Sequence, residues 1–298
     1  MSASAPAEQP GATGTTRPAA ATRVQRWPLL AFFAIAFGAS LLALAVIGLP
    51  SIHASVGSQP ASLVMFPVMV TTVGIAGVAL SAVVGGRAAA RELLRGVRHW
   101  RVPPAYYLAP IIPPVCILAV LFLLRALVDP AFAPNLFPIG LAFGLIAGFL
   151  EELGWSGFAY PRLRVHVGAF RGAVVLGLLW GLWHLPAIDA LGSASPHGRA
   201  LPFFFVAFVL VLTSLRVLIA WIYTSTGSLL LAQCTHASST GFLVVLGAAH
   251  VTGAQEALWY AAYGALLGVV AAALWWRLPP LLLKQPTEDG AAASREPP

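Results

Sequence analysis

The sequence predicts an all-α, polytopic transmembrane helix bundle of about eight spans with both termini cytoplasmic, and three observations carry that prediction. Hydrophobic residues make up 59% of the 298-residue chain and charged ones only 9%, with a mean hydropathy of +0.84, which no ordinary soluble domain approaches. Between Arg26 and Arg87 there is no formal charge at all. Apolar runs of roughly 20 residues, the length that crosses a bilayer, recur along the rest of the chain.

The spans read in order as Leu29 to Leu49, Ala61 to Val84, Tyr106 to Val128, Leu136 to Leu150, Gly172 to Ala190, Pro202 to Tyr223, Ser228 to Ala248 and Ala257 to Trp276. Pro110, Pro113 and Pro114 interrupt the third, and the fourth is short unless it continues through the glutamates that follow it. Positive residues are retained on the cytoplasmic side of short loops. Arg87, Arg91, Arg95, Arg98 and Arg101 follow the second span, and Arg162, Arg164 and Arg171 follow the fourth, so both loops are expected to be cytoplasmic. The alternate loops carry few charges: Asp129, then Asp189 and Arg199, then Glu256. A net charge of +7 then reflects topology and contact with anionic membrane lipids, with no need for a nucleic-acid partner. The expected location is the cell membrane.

Residues 1–26 are rich in Ala, Thr and Pro and read as a disordered tail, residues 27–280 as the helical domain, and residues 281–298 as a second disordered tail. Leu29 to Leu49 is too long for a signal-peptide core and is expected to be a retained span. Cys116 and Cys234 fall inside spans without a CxxC spacing and read as apolar fillers.

Three polar clusters stand out against this background. Glu151 and Glu152 end the fourth apolar run, and paired carboxylates at the edge of a span are costly enough to suggest chemistry. Adjacent helical residues point about 100° apart, so one carboxylate is expected to face a site and the other to orient a neighbour, with Ser156 in reach of Glu152 four residues on. The second cluster, Trp180 to Pro186, is expected in the middle of the fifth span and places an indole four residues before His184; the third, in the seventh span, places His236 four residues before Thr240. Each taken alone reads as a structural feature: a helix-end marker or a hydrogen-bonded core histidine. A glutamate pair and two histidines on three spans are, together, a set able to converge on a hydrolytic site. Glu151, His184 and His236 also form a His₂Glu set of the kind that binds catalytic zinc, although no HExxH helix supports that alternative. A proton relay of a transporter is a third reading, without internal repeats to favour it.

At these residues the chain resembles the CPBP intramembrane proteases, also called the Abi or type II CAAX prenyl endopeptidase family. The family's glutamate pair followed after three residues by Arg corresponds to EELGWSGFAYPRL, Glu151 to Leu163; its aromatic residue four before a His corresponds to Trp180 and His184 in WGLWHLP; its His with Asn or another small residue four later corresponds to His236 and Thr240 in HASST. The resemblance extends over about 87–247. It implies a membrane-embedded peptidase, glutamate- or metal-dependent, acting on membrane-associated or prenylated peptides. Glu151 would then be the general base, aided by His184, with His236 on the oxyanion side, Glu152 completing the catalytic set, and Trp180, Ser156 and Thr240 lining the site. No cofactor is required by this reading, and zinc is the alternative. Some relatives act as scaffolds or in bacteriocin immunity, which is the alternative function. This chain departs from the pattern at Ser156, where the family has Arg, and at Thr240, where many members have Asn. The cation missing at Ser156 is expected to come from Arg216 or Arg162, because Arg216 inside the sixth span is costly without a partner.

Overall fold

The structure, a computed structural model, describes Val24 and residues 27–48, 59–187 and 197–280. The tails expected at 1–26 and 281–298 thus lie outside the described residues apart from Val24, as does the end of the fifth span with Asp189. The described residues form helices and turns, with no strand among them.

Local sequence explains where most helices begin and end. Helix α1 (Pro28–Ala43) starts on a proline, whose missing N–H costs nothing in the first turn, and runs into a π-helical turn, Leu44–Gly48. Helix α2 (Gln59–Gly96) changes direction at Gly86, where a φ of 72° admits glycine far more readily than any other residue; the apolar part ends there and the arginine-bearing turns follow. The prolines of the third span do not break it. Pro110 lies in a 3₁₀ segment, Pro104–Ile111, and Pro113 and Pro114 sit in the first turn of α3 (Ile112–Leu127).

Helix α4 (Gly140–Gly154) does continue through the glutamate pair, passing by a π-helical turn, Trp155–Ala159, into α5 (Tyr160–Val167). Helix α6 (Ala169–Trp183) stops just before His184, which corrects the expectation that the second cluster lies in the middle of a span. Pro186 is the physical reason: a proline disfavours helical geometry at the residue before it and cannot donate to the helix. Helix α7 (Leu201–Thr226) ends at Gly227, α8 (Leu229–Leu246) is capped by Ser228, and α9 (Gly253–Arg277) opens on a capping box of Thr252 and Gln255. Among the described residues, six apolar helical stretches are long enough to cross a membrane: Pro28–Ile47, Met65–Gly96, Pro104–Leu127, Gly198–Thr226, Leu229–Leu246 and Gly253–Arg277. Helix α6, of 15 residues, rises only about 22 Å at 1.5 Å per residue, short of a hydrocarbon core of about 30 Å.

The bundle is assembled by close approach of backbones. Helix α7 packs along α9 and α6, while α4 packs along α8 and α2. Gly140, Gly144 and Gly148 recur every four residues on α4 and lie against α8, so that a Cβ at Gly144 would sit 2.2 Å from the carbonyl oxygen of Ala237. On the α2 side, a Cβ at Gly77 would sit 2.5 Å from the carbonyl oxygen of Leu153. In lipid, where tails compete with apolar side chains, small residues of this kind give helices their contact. The α6 end is tied to α1 by Trp183, whose Nε1 donates to the Ala36 carbonyl at 3.0 Å, and by Ser40, whose hydroxyl donates to the Trp183 carbonyl at 3.2 Å. A second buried polar pair, His197 Nε2 and Glu256 Oε2 at 3.3 Å, joins the entry to α7 with the first turn of α9.

Gly144→Val is expected to destabilise the folded protein by about 2 kcal/mol or more, as overpacking does, because both helices must part to admit the side chain. Thermal melting in detergent measures it; an unchanged transition would mean that the α4–α8 approach does not hold the bundle together.

Candidate active site

The close α4–α8 contact brings the last turn of α4 opposite the middle of α8, and the π-helical turn then shapes what the glutamates meet. Because Glu151 and Glu152 point in different directions, their partners differ completely. Glu151 accepts at Oε2 from two indoles, Trp155 Nε1 and Trp180 Nε1, both at 2.9 Å. Trp155 comes from four residues further along the same chain, and Trp180 comes from α6. One carboxylate oxygen is thereby fixed by two donors while Oε1 is left for other work.

Glu152 points the other way, toward Arg216 of α7 and His236 of α8, with no exposed surface. Arg216 of α7 meets it with both ends of its guanidinium, Nη1 to Oε2 and Nη2 to Oε1, each at 2.8 Å. His236 of α8 places Nδ1 2.8 Å from Oε1, and the Ser156 hydroxyl donates to Oε2. Arg216 also donates from Nη1 to Ser156 Oγ at 3.3 Å and lies over the Trp180 ring at 4.4 Å. Of the two arginines expected to reach Glu152, Arg216 does so. Arg162 instead donates to the Phe158 carbonyl at 2.9 Å and stacks over that ring.

His184 follows α6 as its capping residue. Its Nδ1 lies 2.9 Å from the Trp180 carbonyl, an acceptor, so the proton on that nitrogen points to the backbone and Nε2 is the ring's other working atom. The ring is held edge-on to Trp183 and Phe208, with centroids 4.8 and 5.3 Å away. By the same reasoning His236, facing an ionised carboxylate through Nδ1, presents Nε2 elsewhere, and Trp180 packs edge-on to it at 4.8 Å.

Glu151, Trp180, His184, His236 and Thr240 all line one cavity of about 120 Å³, whose remaining wall is apolar, with Phe66, Met69, Phe208, Leu212 and Tyr260 among its residues. Residues from all three sequence clusters therefore converge. Glu152 and Ser156 are not among the residues lining the cavity: α4 turns Glu152 toward Arg216, as expected of a carboxylate that orients a neighbour, and Ser156, expected to line the site, follows one turn later on the same face. Sequence reasoning did not single out Trp155, although its spacing from Glu151 is the one that brings helical side chains together. Nor did it find the apolar wall, which comes from several helices without any local signal. Among the described residues no group of three His, Cys, Asp or Glu side chains is gathered to hold a metal ion, and Glu152, the carboxylate beside His236, already has its oxygens taken.

Residues 133–242 match the family model described as Type II CAAX prenyl endopeptidase Rce1-like. The matched stretch contains Glu151, Glu152, Trp180, His184, Arg216, His236 and Thr240. The chain is also similar to the CAAX prenyl protease 2 of Methanococcus maripaludis, 39% identical over 57 residues. That alignment spans 19% of this chain and 19% of the relative. The chain is a multi-pass membrane protein whose residues 133–242 are similar to the Rce1-like family of type II CAAX prenyl endopeptidases.

Proposed function

We propose that this protein is a membrane-embedded endopeptidase in which Glu151 activates water to hydrolyse a peptide bond of a membrane-associated substrate. The observation that carries the reading is the shared cavity: one carboxylate with a fixed oxygen, two histidines with engaged Nδ1 atoms, and a hydroxyl face the same small space inside an apolar bundle.

Water enters the cavity and hydrogen-bonds to Glu151 Oε1. His184 Nε2, a lone-pair acceptor while the ring is neutral, holds the water's second hydrogen and aims an oxygen lone pair at the scissile carbonyl. Glu151 takes one proton as the oxygen–carbon bond forms, and the carbonyl electrons move to oxygen. The oxyanion is met by the Thr240 hydroxyl, on the side of the cavity that His236 shapes in the ring orientation set by its Nδ1 contact with Glu152. Glu151 then returns the proton to the departing amine as the carbon–nitrogen bond breaks. The two indoles on Oε2 keep the carboxylate in place through both transfers. A cavity of about 120 Å³ has room for the attacking water.

The substrate class we propose is a prenylated peptide. The apolar wall and the membrane around it suit a lipid-bearing chain, and the relative in Methanococcus maripaludis is described as a CAAX prenyl protease. We place the protein in the cell membrane with both termini cytoplasmic, as the arginine-rich loops favour. The scaffold reading gains nothing from the missing motif arginine, because Glu152 has a guanidinium partner in Arg216.

Purified protein is expected to cleave a prenylated CAAX reporter peptide, and Glu151→Gln to lower kcat by about 10²–10⁴-fold, the usual worth of a general base. Equal background signal from both would refute the proposal, and cleavage of unprenylated membrane peptides alone would refute the substrate class. Trp180→Phe removes one of the two donors on Glu151. A hydrogen bond to a charged group is worth about 1.5–3 kcal/mol, so kcat is expected to fall by about tenfold or more; full activity in this variant would show that the indole does not position the base.

A further inference from the structure

Glu152 is the carboxylate of the pair that touches no part of the cavity, yet it is the more heavily bonded. The local position from which a cation would meet it on the same helix is four residues on, and there the chain has Ser156. The guanidinium arrives instead from α7. Arg216 is wholly buried, grips both oxygens of Glu152 and touches Ser156, so the Ser156 side chain and the guanidinium occupy one shared space beside the carboxylate. Glu152 in turn holds Nδ1 of His236, whose ring lines the cavity.

We infer that Arg216 is a positioning residue of the site, taking from α7 the place that a cation at position 156 would fill, and acting through Glu152 to orient His236. This rests on the hydrolytic reading given above. A carboxylate gripped at both oxygens by a planar fork has one orientation, and the histidine bonded to it inherits that orientation. Gly177 of α6 permits the approach: a Cβ there would lie 2.6 Å from the Thr213 backbone and 3.1 Å from the Arg216 Cβ, so α6 and α7 come close enough to lay Trp180 over the guanidinium. The inference assigns Arg216 no contact with substrate. It predicts that the charge can be moved between helices, provided one cation and only one faces Glu152.

The test is a double-substitution cycle on the full-length protein in detergent, with cleavage of the prenylated reporter as readout. Arg216→Ala is expected to lower kcat by about tenfold or more, with KM little changed, because a hydrogen-bonded charge partner is lost while the substrate-facing wall is intact. Ser156→Arg alone is expected to be harmful, since it crowds two guanidinium groups into a dry site around one carboxylate. The double variant, Ser156→Arg with Arg216→Ala, is expected to recover at least about tenfold over either single change, a coupling that independent sites do not show. Arg216→Lys keeps the charge and loses the fork. It guards against misfolding of the alanine variant, and its kcat is expected to fall by about tenfold. Full kcat in Arg216→Lys or in folded Arg216→Ala overturns the inference, as does a double variant that folds but is no better than the worse single.

Loss of cleavage in the wild type would count against the proposed function alone. The inference would still be read by ¹⁵N NMR of histidine-labelled protein. His236 is expected to carry its proton on Nδ1 in the wild type and in the double variant, and to lose that single state in Arg216→Lys; an unaltered His236 signal in Arg216→Lys would overturn the inference.

Discussion

A carboxylate without any exposed surface, in a bundle with apolar walls, must find all its partners inside the protein, and Glu152 finds four hydrogen bonds: two from Arg216, one from His236 and one from Ser156. An ion taken out of water without such compensation costs several kcal/mol, and removing one member of a buried pair typically costs about 3–5 kcal/mol. The pairing therefore constrains more than two side chains. It draws α4, α7 and α8 to one point, and it fixes which ring atom His236 turns to its carboxylate. Helix packing at that point must be close, and the glycines at 144, 148 and 177 are where the backbones come near enough.

Glu151 is arranged on a different principle. Its oxygen Oε2 is held by two uncharged indole donors, and no cation is bonded to it among the described residues. Neutral donors hold Glu151 through one oxygen beside a small cavity, whereas a guanidinium fork grips Glu152 through both oxygens and ties it to one orientation. The two adjacent residues thus divide the work of the site. One faces the cavity and the other braces its wall. The π-helical turn after Gly154 contributes to both, because it supplies Trp155 to the first glutamate and Ser156 to the second. Trp180 links the halves, donating to Glu151 while packing against Arg216 and His236.

Much of this organisation is legible along the chain because the membrane imposes simple rules. The uncharged interval between Arg26 and Arg87, with its two apolar runs, marks two helices, and costly polar residues inside such runs mark Glu151, His184, Arg216 and His236 for attention. Other features are not local. The short helix α6, and with it the place of His184 at a helix end, follows from one proline competing with an otherwise continuous apolar run. The choice between Arg216 and Arg162 as partner of Glu152 depends on which side chain the packed bundle brings to that carboxylate, which spacing along the chain does not encode.

What the sequence by itself determined is the helical, multi-pass character of the protein and the set of residues able to do chemistry, since both depend on composition and on spacing within single helices. Only the tertiary structure decided that Glu151 lines the cavity while Glu152 stands behind it, that the guanidinium comes from α7, and that indoles from two helices fix the first carboxylate. These are properties of the spaces between helices. They depend on where backbones can approach each other and on how buried charges are neutralised across the interfaces, so they become definite only when the bundle is packed.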